Sequence, residues 1–165
     1  MVKISIIGGK FYEGEAKDDK ELAAGKLTDA SGTVTEGIFQ NKTLVGLGKA
    51  TYVDGSIYYG EFLDNLPHGE GKRTEPDGSV RVGEFKHGRQ NGYGSVHFAN
   101  GVSIEGEFKN DKLHGKGKKT TPNGAVFEGW FQDGEAFPAE GKLHALMAQC
   151  TRAKSKTARF LGKES

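Results

Sequence analysis

The stretch from Tyr58 to Val80, YYGEFLDNLPHGEGKRTEPDGSV, decides the fold, because its glycines return along the chain at a fixed step. Gly60 belongs to the series Gly14, Gly37, Gly60, Gly83, Gly106 and Gly129, with 23 residues between successive members. A second glycine follows eleven residues after each of the first five (Gly25, Gly48, Gly71, Gly94, Gly117), and a third follows eighteen residues after (Gly32, Gly55, Gly78, Gly101, Gly124). So strict a period marks a repeat architecture, in which each unit buries its apolar face only by stacking on its neighbours.

Counting from the first glycine of a unit as zero, positions −3 to +3 (Ile57 to Leu63, IYYGEFL) are rich in β-branched and aromatic residues and read as a strand. Position +5 supplies turn residues (Asp19, Asn65, Gly88, Asp111, Gly134). A second strand begins near +9 and ends at Asp54-Gly55, Asp77-Gly78, Asn100-Gly101 or Asn123-Gly124, dipeptides suited to tight turns. Each unit is therefore a β-hairpin turned tightly into the next. The expected fold class is all-β: an elongated, twisted single antiparallel sheet of about thirteen strands, at ~4.8 Å per strand roughly 60 Å long.

Working outward from the central units, residues 1–9 read as the second half of a truncated repeat, five full repeats run over 12–126, and a partial sixth covers 127–141. There Pro138 replaces a glycine and Gly141 comes twelve residues after Gly129, so the array ends. Residues 142–165 form a separate basic segment. Leu143, Leu146, Met147, Cys150 and Ala153 recur at helical spacing, which predicts a short C-terminal helix from 142 to about Ala158, folded back as a cap near Trp130 and Phe131.

A register follows if +2 lies opposite +11. Phe39, Phe62, Phe85 and Phe108 then shield Gly48, Gly71, Gly94 and Gly117, and +1 meets +12 on the other face, pairing Glu15 with Lys26, Glu61 with Lys72 and Glu107 with Lys118.

Composition agrees with a stacked array. A hydrophobic fraction of 35% with 26 glycines in 165 residues is lean for a globular core. The lone Cys150 excludes an internal disulfide framework and points to a reducing compartment. The opening MVKISIIGGK has only a short apolar run broken by Lys3, without the pattern of a signal peptide or membrane span. From Ala145 onward five basic residues stand against Glu164, a net of +4 that leaves −3 for residues 1–144 of the overall +1. A cytoplasmic protein is expected, with no nucleic-acid partner.

The string Tyr58-x-Gly60-Glu61-Phe62, His68-Gly69-x-Gly71, Asp77-Gly78, together with HGKGK from His114 and YVDGSIYYGEF from Tyr52, resembles the MORN (membrane occupation and recognition nexus) repeat over about residues 10–141. Arrays of that family occur in junctional membrane proteins, lipid kinases, a histone methyltransferase, cytoskeletal scaffolds and myosin-tail adaptors, usually as the non-catalytic part. The resemblance implies a binding module, associated with cytoskeleton or membrane. Thr35, Arg81 and Ile104 depart from the aromatic that usually opens the unit, and phenylalanine stands at +2 where tryptophan is frequent.

No catalytic, cofactor or metal constellation stands out. Gly69-x-Gly71-Lys72 and Gly115-x-Gly117-Lys118 lack the G-x-x-x-x-G-K-[ST] spacing of a phosphate loop. His68 and His114 fall four strands apart, about 19 Å, too far to share an ion. The ladder Glu61, Glu84, Glu107 reads as a solvated face rather than as a pair of hydrolytic carboxylates. What remains is surface. Tyr52 and Phe98, both at +15, are expected on the phenylalanine face along a groove, and Tyr59, Tyr93 and Trp130 on the opposite face, as anchors for a helix or extended peptide of a partner protein. The alternative is a peripheral membrane module in which Arg152, Lys154, Lys156 and Arg159 meet anionic phosphoinositide lipids. Self-association of the array is a further expected contact.

Overall fold

The computed structural model describes residues 2–6, 8–14, 23–41 and 43–137. They form thirteen strands: β1 (Val2–Ile6), β2 (Lys10–Gly14), β3 (Ala23–Thr28), β4 (Val34–Gln40), β5 (Thr43–Thr51), β6 (Ile57–Leu63), β7 (Leu66–Thr74), β8 (Val80–Lys86), β9 (Arg89–His97), β10 (Ser103–Lys109), β11 (Lys112–Thr120), β12 (Val126–Gln132) and β13 (Glu135–Phe137). Each pairs antiparallel with the next, giving one sheet in sequence order. The expected all-β array is thus observed. The predicted helix from 142 and the boundary at 141 lie outside the described residues.

Two kinds of turn alternate. Within a unit, +4 and +5 both carry positive φ, as at Asp64 and Asn65 (φ 51° and 64°) or Asn110 and Asp111 (49° and 70°). That is the backbone of a two-residue type I′ hairpin turn, which short polar residues and glycine tolerate. Between units, only the glycine of Asp54-Gly55 is left-handed (φ 89°), and Gly55 N–H donates to Tyr52 O at 2.9 Å. The aspartate instead fixes the turn through its side chain, Asp54 Oδ1 accepting Ser56 N–H at 2.8 Å and Ser56 Oγ–H at 2.7 Å. Asp77 holds Ser79 with both oxygens, Oδ1 accepting the N–H at 2.8 Å and Oδ2 the Oγ–H at 2.9 Å.

The register differs from the expected one. Gly60 faces Gly71 and Phe62 faces Pro67, so Glu61 alone stands opposite His68, Gly69 and Glu70. The same bulge recurs in the β4/β5, β8/β9 and β10/β11 pairs. Its cause is the glycine at +9, whose φ is positive in Gly46, Gly69, Gly92 and Gly115. That conformation costs glycine little and lets one strand take up two extra residues. The phenylalanine at +2 therefore lies across from the +9 position of the preceding unit, Phe62 from Gly46 and Phe85 from Gly69.

Above the bulge the glycines at zero and +11 align into one column of eleven, from Gly14 to Gly129. Beside it runs a charge row, Glu13–Lys26–Glu36–Lys49 near one end and Glu105–Lys118–Glu128 near the other. Lys26 and Lys118 thus face Glu13, Glu36, Glu105 and Glu128, while Lys72 faces Tyr59 and Val82. The expected pairs of Glu61 with Lys72 and Glu107 with Lys118 do not form across the ladder, and Glu15 lies outside the described residues.

The core occupies one face only, and the glycine column is its floor. A Cβ added at Gly60 or Gly71 would run into Tyr58, at Gly14 or Gly25 into Tyr12, and at Gly129 into Phe127. These covering rings all sit at −2. Where −2 is Thr35, Arg81 or Ile104, the residue at +7 takes over: Leu44 lies over Gly37 and Gly48, Gln90 over Gly94, and Leu113 over Gly106 and Gly117. The departures from an aromatic opening are thus compensated nine residues later in the same unit. Phe39, Phe62, Phe85, Phe108 and Phe131 complete the packing, all buried.

Candidate functional site

The phenylalanine face is a packed core and not an open groove. Tyr52 is half-buried against the first hydrophobic cluster (Tyr12 through Phe85) and Phe98 against the second (Val96 through Phe131). Arg73 lies over the Tyr52 ring at 5.0 Å. Burial pushes the Tyr52 phenol up, and Arg73 offsets part of that. Arg73 also stands directly across the ladder from Arg81, and Glu75 Oε1 reconciles the two cations, 3.1 Å from Arg73 Nε and 3.4 Å from Arg81 Nε. Like charges so placed destabilise a ladder unless a counter-charge intervenes, so this cluster has a structural explanation.

The opposite face carries the exposed aromatics. Tyr59 on β6, Tyr93 on β9 and Trp130 on β12 are about half exposed, and Leu47, Val82 and Ile38 join them. At ~4.8 Å per strand the three rings are about 14 Å apart in succession. Tyr59 has Lys49 Nζ 5.7 Å above its ring, and Trp130 has Lys116 Nζ at 5.7 Å. Around Tyr93 the sheet forms a groove of about 620 Å³ whose walls include Val82, Glu84, His97, Ile104 and Glu105. Tyr93 O–H donates to Glu105 Oε1 at 2.8 Å, a bond that raises the phenol above its ordinary value. Glu70 and Glu84 face each other directly across β7 and β8 in the same groove, with Lys118 at its far side.

The structure thus gathers Tyr59, Tyr93 and Trp130 on one face and seats Tyr52 and Phe98 in the core of the other. Leu47, Val82 and Ile38 escaped the sequence reading. The available signal was an apolar residue at −1, +1 or +10 where sister units carry Glu or Lys. The histidines go to packing: His68 is edge-on to His87 at 5.7 Å, and His114 Nδ1 lies 3.5 Å from Asp133 Oδ1. Among the described residues no three His, Cys, Asp or Glu side chains converge as metal ligands. Arg152, Lys154, Lys156 and Arg159 lie outside the described residues.

The sequence matches the MORN repeat at four consecutive stretches, residues 36–57, 58–80, 82–103 and 105–126. The chain belongs to the MORN-repeat family. MORN arrays are in general binding or scaffold modules, and an unlayered sheet with an exposed aromatic face suits that role. No curated protein matches the chain. Among solved structures, the SAS-4 (dCPAP) TCP domain of Drosophila melanogaster, in complex with a proline-rich motif of Ana2 (dSTIL), is similar to this MORN chain at 13% identity with a TM-score of 0.44. The similarity spans 76% of this chain and 75% of that one. At that level nothing about a partner carries over.

Proposed function

We propose that this MORN array is a non-enzymatic cytoplasmic scaffold that holds a helix or extended segment of a partner protein across its outer face. The observation that carries the reading is the aromatic series Tyr59, Tyr93, Trp130, exposed on the face that has no core of its own, with a groove at its centre. From the first ring to the last is six strands, about 29 Å, the length of a helix of roughly 19 residues or an extended segment of roughly 9. Glu70, Glu84 and Glu105 in the groove favour a segment that flanks its apolar anchor with Lys or Arg.

The test is a triple variant, Tyr59→Ala with Tyr93→Ala and Trp130→Ala, carried through affinity purification from the native cell and titration against the captured partner. Loss of binding by at least tenfold with an unchanged melting temperature is expected. Unchanged affinity refutes the assignment. Sedimentation with phosphoinositide-containing vesicles at two salt concentrations separates the lipid reading, since strong, salt-sensitive pelleting would replace the scaffold role by a membrane one.

A further inference from the structure

The core face closes over itself at every internal rung that opens with an aromatic, but among the described residues it does not close at the last. In internal units the ring at −2 is covered by the +2 phenylalanine of the next unit: Phe39 stands edge-on to Tyr12 at 5.4 Å and Phe85 edge-on to Tyr58 at 5.0 Å. Phe127 occupies the same position in the sixth unit and packs against its own Phe131 at 5.6 Å, as Tyr58 does against Phe62 at 5.2 Å. Among the described residues no second ring covers it. Tyr58 and Tyr12 are 0% and 9% exposed, whereas Phe127 is 48% exposed. Beside it lies an open slot of about 340 Å³ lined by Lys119, Thr121, Val126, Phe127, Phe131 and Ala136. One repeat step beyond Phe131 falls on Lys154, so no further unit supplies the closing phenylalanine.

We propose that the slot over Phe127 is filled by the chain's own segment Leu143–Met147, with Leu143, Leu146 and Met147 standing in for the missing phenylalanine. This is independent of the partner-binding face, which is the other side of the sheet. Phe137, the last described residue, pairs through its backbone with Trp130 on β12, beside the slot. Leu143 lies six positions beyond Phe137, a reach of at most about 20 Å extended and about 9 Å if helical. Spacing of i, i+3 and i+4 brings the three apolar side chains onto one helical face. The same docking covers the edge of β13 that no other described strand pairs, an edge that would otherwise template association.

Hydrogen exchange on the full chain tests this, comparing the wild type, the triple variant L143D/L146D/M147D, and each of these with Phe127→Ala added. The triple variant should lower protection of the β12 amides at least tenfold while leaving β6 and β7 within twofold. Phe127→Ala should then change β12 protection at least threefold less in the triple background than in the wild type, because the two perturbations remove one contact. Unchanged β12 protection in the triple variant overturns the proposal. So does a wild-type dimer at micromolar concentration that Phe127→Ala abolishes and the triple variant does not, which would place a second copy in the slot.

Discussion

Replacing Gly71 by alanine strikes the floor of the core directly. The added Cβ points at Tyr58 and meets its Oη, Cζ and Cε2, the last at 2.5 Å, well inside the ~3.5 Å at which carbon atoms attract. Gly71 is not among the positive-φ glycines, so the cost is one of space alone. Tyr58 is fully buried, and its O–H donates to Glu61 O at 3.2 Å, so the ring cannot swing aside freely. If the ring merely shifts, overpacking costs about 1–3 kcal/mol. If it is expelled, the loss approaches that of truncating a buried aromatic, about 3–5 kcal/mol. An intermediate loss of about 2–4 kcal/mol is expected, which for a chain of this size lowers the melting midpoint by about 5–12 °C. Two controls separate the causes. Gly124→Ala meets nothing within 4 Å but has φ +84°, so it isolates the backbone cost of roughly 1–2 kcal/mol. Glu70→Val changes an exposed residue facing Glu84 and should stay within about 0.5 kcal/mol of wild type. Adding Tyr58→Ala to Gly71→Ala should cost less than the sum of the two, because removing the ring makes room. Thermal melts of Gly71→Ala and Glu70→Val with equal midpoints, or a strictly additive double variant, would show that the ring does not rest on the glycine column.

Gln90 occupies the +7 slot that holds Leu44 and Leu113 in sister units, and its Oε1 is buried without a hydrogen-bond partner although Nε2 reaches Val82 O and Ser95 O. Gln90→Leu is therefore expected to be neutral or to stabilise by up to about 1 kcal/mol in urea unfolding, and a loss above about 1 kcal/mol would contradict the equivalence of the +7 positions. Asp54 and Asp77 are held below the ordinary carboxylate range, Asp54 first by the Ser56 hydroxyl and Asp77 first by the Ser79 backbone N–H. Their contribution is complete above the unfolded carboxylate value of ~3.9 and is lost as pH falls through the lowered folded values, so the melting temperature should be level from about pH 7 to 5 and decline below about pH 4. Asp54→Asn with Asp77→Asn should flatten that acid decline; an unaltered slope would remove these turns from the account.

The 23-residue step makes the architecture legible in the sequence, since six glycines in strict series mark a stacked repeat. The turn residues were legible too, although their chemistry divides more finely than the dipeptides suggest: Asp64-Asn65 is left-handed at both positions, whereas Asp54-Gly55 relies on a side-chain bond to Ser56. The register was not legible. A bulge at Gly69 shifts the ladder by two residues, and the recurrence of glycine at +9 in Gly46, Gly69, Gly92 and Gly115 is its trace in the sequence. The exchange of cover between Tyr58 and Leu44 was hidden because the two sit nine positions apart in the repeat and meet only once the bulge brings both over the glycines. For the site, the face of Tyr59, Tyr93 and Trp130 followed from strand alternation, because a bulge that shifts the ladder by an even two residues leaves each side chain on its face. The packing of Tyr52 under Arg73 depended on a side chain two strands away.

The buried face is divided between β8 and β9, where Phe85 ends one apolar cluster, Val96 begins the next, and Arg73, Arg81 and Gln90 lie at the junction. In a stacked array each unit is coupled only to its neighbours, so cooperativity is as strong as its weakest junction. At the β8/β9 junction the buried Gln90, whose Nε2 donates to Val82 O at 3.1 Å across the two strands, stands where sister units place leucine. If that junction is the weakest, the two blocks on either side melt at different temperatures. The groove around Tyr93 crosses the same strands from the other side. On the proposed function, a segment seated there touches both blocks at once and ties their unfolding together.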